Sequence, residues 1–140
     1  MALDRFRTCT PEGDWRSFKY TIPSGVTKII GTYYIINNTW GMVLASEDNF
    51  EGNEPVDTVI AAGKVISFIY NCEKILGPKS TDTGSAITVG EFVYIDTTTK
   101  IIYGTNAAGR TCIGTCVENA ADADAWVEFD LKGDSMTDQA

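Results

Sequence analysis

The chain has 140 residues, 44% of them hydrophobic, and its 19 acidic against 11 basic side chains give a formal net charge of −8. That length suits one domain with a substantial core, and no apolar run approaches the length of a membrane-spanning helix. The negative field repels phosphate backbones, and Lys and Arg are scattered singly rather than gathered in a basic patch, so neither nucleic acid nor membrane is expected as a partner.

The opening Met1-Ala2-Leu3-Asp4-Arg5-Phe6-Arg7 lacks the apolar stretch of a secretory signal, and synthesis in a cytoplasm is expected. Cys9-Thr10-Pro11-Glu12-Gly13-Asp14 carries turn chemistry, and residues 1–20 hold too few apolar side chains before Trp15 to build a core, so they are read as an extended N-terminal arm. Alternation from Phe18 to Ile22 marks a first strand, broken by Pro23-Ser24-Gly25. Thr32-Tyr33-Tyr34-Ile35-Ile36 and Trp40-Gly41-Met42-Val43-Leu44-Ala45 are β-rich runs joined by a hairpin at Asn37-Asn38-Thr39. Ser46 to Pro55 is acidic and broken by Gly52 and Pro55, an exposed loop. Val56 to Ala61 and Val65 to Tyr70 follow as strands around the tight turn Ala62-Gly63-Lys64.

A polar linker is expected to begin at Leu76-Gly77-Pro78-Lys79 and run to Ser85. Strands then follow at Ala86–Val89, Phe92–Asp96, Ile101–Tyr103, Cys112–Val117 and Trp126–Leu131. The Ala- and Asp-rich stretch Asn119–Asp124 is compatible with a short helix. Short strands at this spacing predict an all-β fold, a compact β-barrel or β-sandwich with at most one short helix. The domain proper is expected over residues 21–131, followed by a polar tail over 132–140.

Histidine is absent, which removes the commonest general base, the Ser–His and Cys–His nucleophile pairs, and most zinc chemistry. Four cysteines stand at Cys9, Cys72, Cys112 and Cys116. Cys112 and Cys116 on one strand lie about 13 Å apart, too far for a disulfide, so buried free thiols are expected. Glu47, Asp48, Glu51 and Glu54 sit in a single polar loop, which suits a solvated surface better than the opposed carboxylates of a glycosidase. Glu118, Asp122 and Asp124 lack the glycine and terminal glutamate of a calcium loop. Gly104, Gly109 and Gly114 lack the Lys-Ser/Thr and helix of a phosphate loop. Trp15, Trp40 and Trp126 suit core or interface packing, with stacking on sugars as the alternative. No catalytic, metal or cofactor residue emerges.

The second half carries a recognisable arrangement. Ala86-Ile87-Thr88-Val89-Gly90-Glu91-Phe92-Val93-Tyr94-Ile95-Asp96 resembles a segment of small phage and prophage proteins, the capsid decoration, cement or head-stabilising proteins. Thr111–Val117 is similar to that family's Ile-Gly-hydrophobic strand, Ala120–Ala123 to its alanine-rich spacer, and Trp126-Val127-Glu128-Phe129 to its closing strand. Gly31–Leu44 and Asp57–Phe68 resemble its first half, so the likeness spans roughly Val26 to Leu131. Ile95 stands where the family has tryptophan, and Thr32 where it has an acid after glycine.

The resemblance implies a non-enzymatic structural protein without cofactors. It implies binding to the outer face of an assembled shell of the major capsid protein, as a homotrimer, on the virion, after synthesis in the host bacterial cytoplasm. Residues 1–20 match nothing in that pattern and are the expected tether. Arg5, Phe6, Arg7, Trp15, Arg16 and Phe18 are its candidate capsid-binding side chains, since aromatic and arginine anchors dominate interfaces. The alternative is a carbohydrate-binding or host-adhesion module displayed on a virion, with tryptophans facing a glycan.

Overall fold

A computed structural model describes residues 12–29, 31–44, 50–51, 54–55, 59–133 and 138–139. In chain order its strands are β1 (Glu12–Thr21), β2 (Lys28–Ile29), β3 (Tyr33–Ile36), β4 (Thr39–Val43), β5 (Phe50–Glu51), β6 (Glu54–Pro55) and β7 (Val59–Ile60). The second half adds β8 (Val65–Pro78), β9 (Phe92–Asp96), β10 (Ile102–Tyr103), β11 (Arg110–Glu118), β12 (Trp126–Lys132) and β13 (Asp138–Gln139). No helix occurs among the described residues, so the fold is all-β as the strand pattern predicts. The helix-compatible stretch Asn119–Asp124 is instead a bridge at Ala120 followed by a turn. The Asp124 carboxylate accepts the Ala121 N–H at 2.8 Å and the Ala121 carbonyl accepts the Asp124 N–H at 3.0 Å. Such local pairing by aspartate competes with helix formation.

Nine of the described strands share one antiparallel sheet, ordered β10–β9–β11–β12–β8–β4–β3, with β1 added on β8 and β13 on β11. The 14 residues of β8 organise it. At Cys72 the strand pairs with Trp15 of β1 and with Leu131 of β12, so these partners occupy its two opposite edges. β4 takes over the β12 edge at Phe68 and Ile69. Beyond Pro78, a bridge from Lys79 to Ile102 reaches β10, and the sheet curls on itself as a half-barrel. The β3–β4 hairpin turns through Asn37 and Asn38 with φ of 51° and 65°, the left-handed pair that a two-residue hairpin requires and that asparagine tolerates.

The curl divides the apolar residues into two clusters. Tyr33, Trp40, Met42, Ile69, Ile75, Ile95 and Phe129 belong to the larger one, whereas Ile22, Ile36, Val43, Ile60, Ile66 and Phe68 form a smaller one. Neighbours on one strand, Phe68 and Ile69 or Met42 and Val43, serve different clusters because successive strand side chains point to opposite faces. The buried Tyr33 hydroxyl donates to the Leu76 carbonyl at 2.7 Å, which satisfies its one polar atom.

The linker expected over Leu76 to Ser85 begins later, at Lys79. β8 continues through Pro78, because Ile75 and Gly77 carry the inward alternation past the polar Glu73 and Lys74. A side chain at Gly77 would collide with Ile102 and Phe129, so only glycine lets the end of β8 lie against β10 and β12.

Lys79 then turns inward and is 3% exposed. Its Nζ donates to the carbonyls of Ser80 (2.5 Å), Ser85 (3.2 Å) and Asp122 (3.2 Å) and to the Ser85 hydroxyl (3.0 Å). Its backbone N–H donates to the Ala125 carbonyl at 2.8 Å. One ammonium thus gathers the end of β8, the loop over residues 80–86 and the turn before β12, in the manner of a bound cation ringed by oxygens. Removing it leaves those carbonyls without their donor. Lys79→Met is therefore expected to lower stability by on the order of 3 kcal/mol, read as a fall in the urea midpoint with unchanged slope.

Candidate functional site

The loop gathered by Lys79 runs on to an exposed corner. Ile87 and Ala120 exchange both backbone hydrogen bonds, at 2.9 and 2.8 Å, fixing the loop beside the end of β11. Thr88 to Glu91 then form a β-turn in which the Glu91 N–H donates to the Thr88 carbonyl at 3.0 Å and Gly90 takes φ of 92°. A positive φ at the third turn position is what glycine supplies without strain. The Glu91 carboxylate accepts the Thr88 N–H at 2.6 Å, and the Asn119 side chain accepts the Val89 N–H at 2.8 Å. Gly90 N–H donates to the Cys116 carbonyl and Cys116 N–H to the Glu91 carbonyl, at 2.9 and 2.8 Å.

This frame presents apolar side chains to solvent. Val89 is 54% exposed, Phe92 58% and Val117 37%. Phe92 pairs with Thr115 of β11, Val117 lies two residues further along that strand, and the turn that carries Val89 is bonded to Cys116 between them, so all three belong to one end of β9 and β11. Glu91 and Glu118 are exposed beside them. A held, exposed aromatic with aliphatic neighbours and an acidic rim has the anatomy of a protein-docking patch. These residues are absent from the sequence-derived candidates. Their signal was Phe92 itself, an aromatic at the outward position of a strand whose Val93 and Ile95 point inward.

The sequence-derived candidates fall elsewhere. Arg5, Phe6 and Arg7, like Cys9, Glu47 and Asp48, lie outside the described residues. Trp15, Arg16 and Phe18 are on β1, which pairs with β8 from Glu12 to Thr21. Phe18 is half-buried, its ring 5.2 Å from that of Phe68 and 5.7 Å from that of Tyr70, and it packs against the smaller core cluster. Trp15 is 44% exposed and Arg16 is exposed, both lining a cleft of about 560 Å³ with Asp14, Asn71, Glu73 and Lys132. Of the other tryptophans, Trp40 is buried and Trp126 packs against the main core, so Trp15 alone of the three is open for stacking.

The candidate acids and thiols serve the fold. The amides of Gly84 and Ala86, with the nearby Lys79 charge, hold the Asp122 carboxyl below its ordinary range, and its Oδ1 accepts the Ala86 N–H at 2.8 Å. Asp96 is lowered likewise by the amides of Thr99 and Thr98. Burial pushes the thiols of Cys112 and Cys116 up, and these and Cys72 are free and buried. Among the described residues no group of three or more acidic, cysteine or histidine side chains is placed to hold a metal ion.

Comparison with known proteins follows the corner closely. A family model described as phage cement protein matches residues 56–131, more than half of the chain, and the match contains the turn, β9, β11 and β12 up to Leu131. The chain belongs to the phage cement protein family. No curated protein and no solved structure matches it. Membership gives this cement protein a structural role in a phage and an association with the capsid of the virion.

The lowered carboxyls have a pH consequence. A group whose folded pKa is depressed contributes stability that is complete above the ordinary carboxylate value of about 4 and is lost as pH falls through the folded value. Asp122→Asn should therefore flatten the acid side of the stability curve, losing less than the wild type as pH falls from about 4 through the lowered folded value, as measured by urea midpoints across a pH series.

Proposed function

We propose that this cement protein binds the outer surface of the assembled major capsid shell as a trimer and stabilises it there. The observation that carries the reading is the corner of Val89, Phe92 and Val117, which is apolar, exposed and pre-shaped by backbone hydrogen bonds inside the family-matched segment. A pre-shaped patch loses little conformational entropy when it docks, so most of its burial energy appears as affinity. Binding confined to the assembled shell stabilises that state by mass action. A trimer engages several subunits at once, and each contact raises the effective concentration of the next.

The N-terminal segment acts as a tether. Residues 12–21 belong to the sheet, so the proposed tether is confined to residues 1–11. Among the described residues β1 pairs with β8 alone. The host-adhesion alternative has Trp15 as its one exposed tryptophan and a cleft with acidic and basic walls beside it.

Co-sedimentation with expanded empty shells tests the docking corner. Phe92→Asp should lower shell affinity at least about ten-fold, as truncation of a central aromatic anchor does, while its thermal unfolding stays close to wild type because the ring is outside the core. Equal occupancy of shells by Phe92→Asp and wild type refutes the corner. Deleting residues 2–11 should leave a folded protein of reduced shell occupancy, with circular dichroism and sedimentation as the paired measurements.

A further inference from the structure

At the opposite end of β9 from the apolar corner, a second surface stands out by its charge. Lys28 of β2 places its Nζ 4.2 Å from the centre of the Tyr34 ring, and Lys100 places its own 5.8 Å from the same ring and 5.3 Å from that of Trp40. Lys100 sits in the turn between β9 and β10 with φ of 64°, a left-handed conformation unfavourable for lysine, so this side chain is delivered at a backbone cost. Burial lowers the Lys100 pKa, the Lys28 charge lowers it further, and Asp96 opposes both. Asp96 Oδ1 accepts from the Thr98 and Thr99 amides, at 2.8 and 2.9 Å, rather than from either lysine. The side-chain ion pairs resolved among the described residues, Lys74 with Glu128 and Lys132 with Asp130, involve neither ammonium. Tyr34 is itself anchored, its hydroxyl accepting the Ile29 N–H at 3.1 Å.

Two mutually repelling cations therefore share one aromatic ring in a protein with a net charge of −8. Aromatic faces hold each ammonium in place but do not neutralise it. A carboxylate docked against this pair would relieve the repulsion and accept charge-assisted hydrogen bonds.

We propose that Lys28 and Lys100, set on Tyr34 and Trp40, form a receptor for one acidic side chain of the capsid shell, a second anchor at the far end of β9. This rests on the shell-docking reading above and specifies it, for it orients the length of β9 between an apolar anchor and a charged one. A second copy of this chain is the competing occupant, and self-association that depends on Lys28 is the outcome that would reveal it. A fixed carboxylate on the shell needs only local complementarity. Charge pairs at an interface fix orientation and raise the association rate more than they raise affinity.

The test keeps Lys100, which touches both β3 and β4, and changes Lys28. Lys28→Glu is expected to lower affinity for expanded shells by about ten-fold and to flatten its salt dependence, with wild-type thermal unfolding, and Lys28→Arg is expected to restore both. Wild-type affinity and salt dependence in Lys28→Glu overturn the proposal. So does salt-sensitive self-association in light scattering that Lys28→Glu abolishes, because the occupant is then a second copy. An acetate titration followed by nuclear magnetic resonance of the lysine Nζ groups separates this idea from the docking reading. A saturable shift shared by Lys28 and Lys100 supports the carboxylate site even if wild type fails to bind shells, in which case the docking reading alone falls. No shared shift overturns the site.

Discussion

One buried ammonium holds the functional half of this protein in shape. Burying a lysine is costly unless its charge is fully solvated by the protein, and Lys79 meets that condition with three carbonyls and a hydroxyl. The loop over residues 80–86 has few apolar side chains with which to anchor itself. It is ordered because its carbonyls face inward to a cation that β8 delivers. Ser85 completes the arrangement, its hydroxyl lying within reach of the Ser80, Asp82 and Asp122 carbonyls at 2.8, 2.5 and 3.2 Å. From this knot the chain proceeds directly to Ile87, the one deeply buried residue of the segment, and then to the exposed turn. The shape of the corner is thus inherited from a polar cluster rather than from an apolar core beneath it.

The rest of the architecture makes such a delivery possible. β8 is long enough to pass between the two clusters and arrive at β10, and Gly77 removes the side chain that would hold the two apart. Gly114 performs a similar service on β11, where a side chain would meet the Asp130 carbonyl, at the place where the register of β11 against β9 shifts. Close approach at both points tightens the curl, and a tight curl brings the ends of the sheet together. Lys100 over Tyr34 and Trp40 lies across that closure, joining the β9–β10 turn to β3 and β4. Closure and display are the same event, since the residues left outside the curl are those at its two ends.

Much of this was legible in the residues and some was not. The strand runs at Tyr33–Ile36, Phe92–Asp96 and Trp126–Leu131 announced themselves by β-branched and aromatic content, and the Asn37-Asn38 hairpin by its turn chemistry. β8 was only half legible. Its second part carries Glu73, Lys74, Gly77 and Pro78, residues that signal a linker locally and are accommodated by cross-strand partners distant in sequence, such as Glu128 opposite Lys74 at 3.6 Å. Lys79 looked like an ordinary surface charge, because the acceptors that bury it come from residue 80 onward and from residue 122. The candidate site suffered in the same way. Of the arginine and aromatic candidates near the start of the chain, Phe18 is held against Phe68, whereas Trp15 and Arg16 are exposed. Phe92, one position in a strongly patterned strand, is left outside, as is Trp15.

If the protein docks as proposed, the balance between the two ends of β9 decides how a strongly acidic protein does so. At long range its net charge of −8 sets the sign of the encounter with any surface, and salt weakens that field within about 10 Å. At contact the field matters less than the local groups. The apolar corner is indifferent to charge and supplies burial, whereas the lysine pair presents the opposite sign to the rest of the molecule and supplies direction. A protein with the corner alone would dock in several orientations, and one with the lysines alone would bind weakly in physiological salt. In the proposed docking, both together, separated by the fixed length of a strand, would select a single pose on a repeating surface. That selection is what many copies on one shell need in order to act in concert rather than as independent ligands.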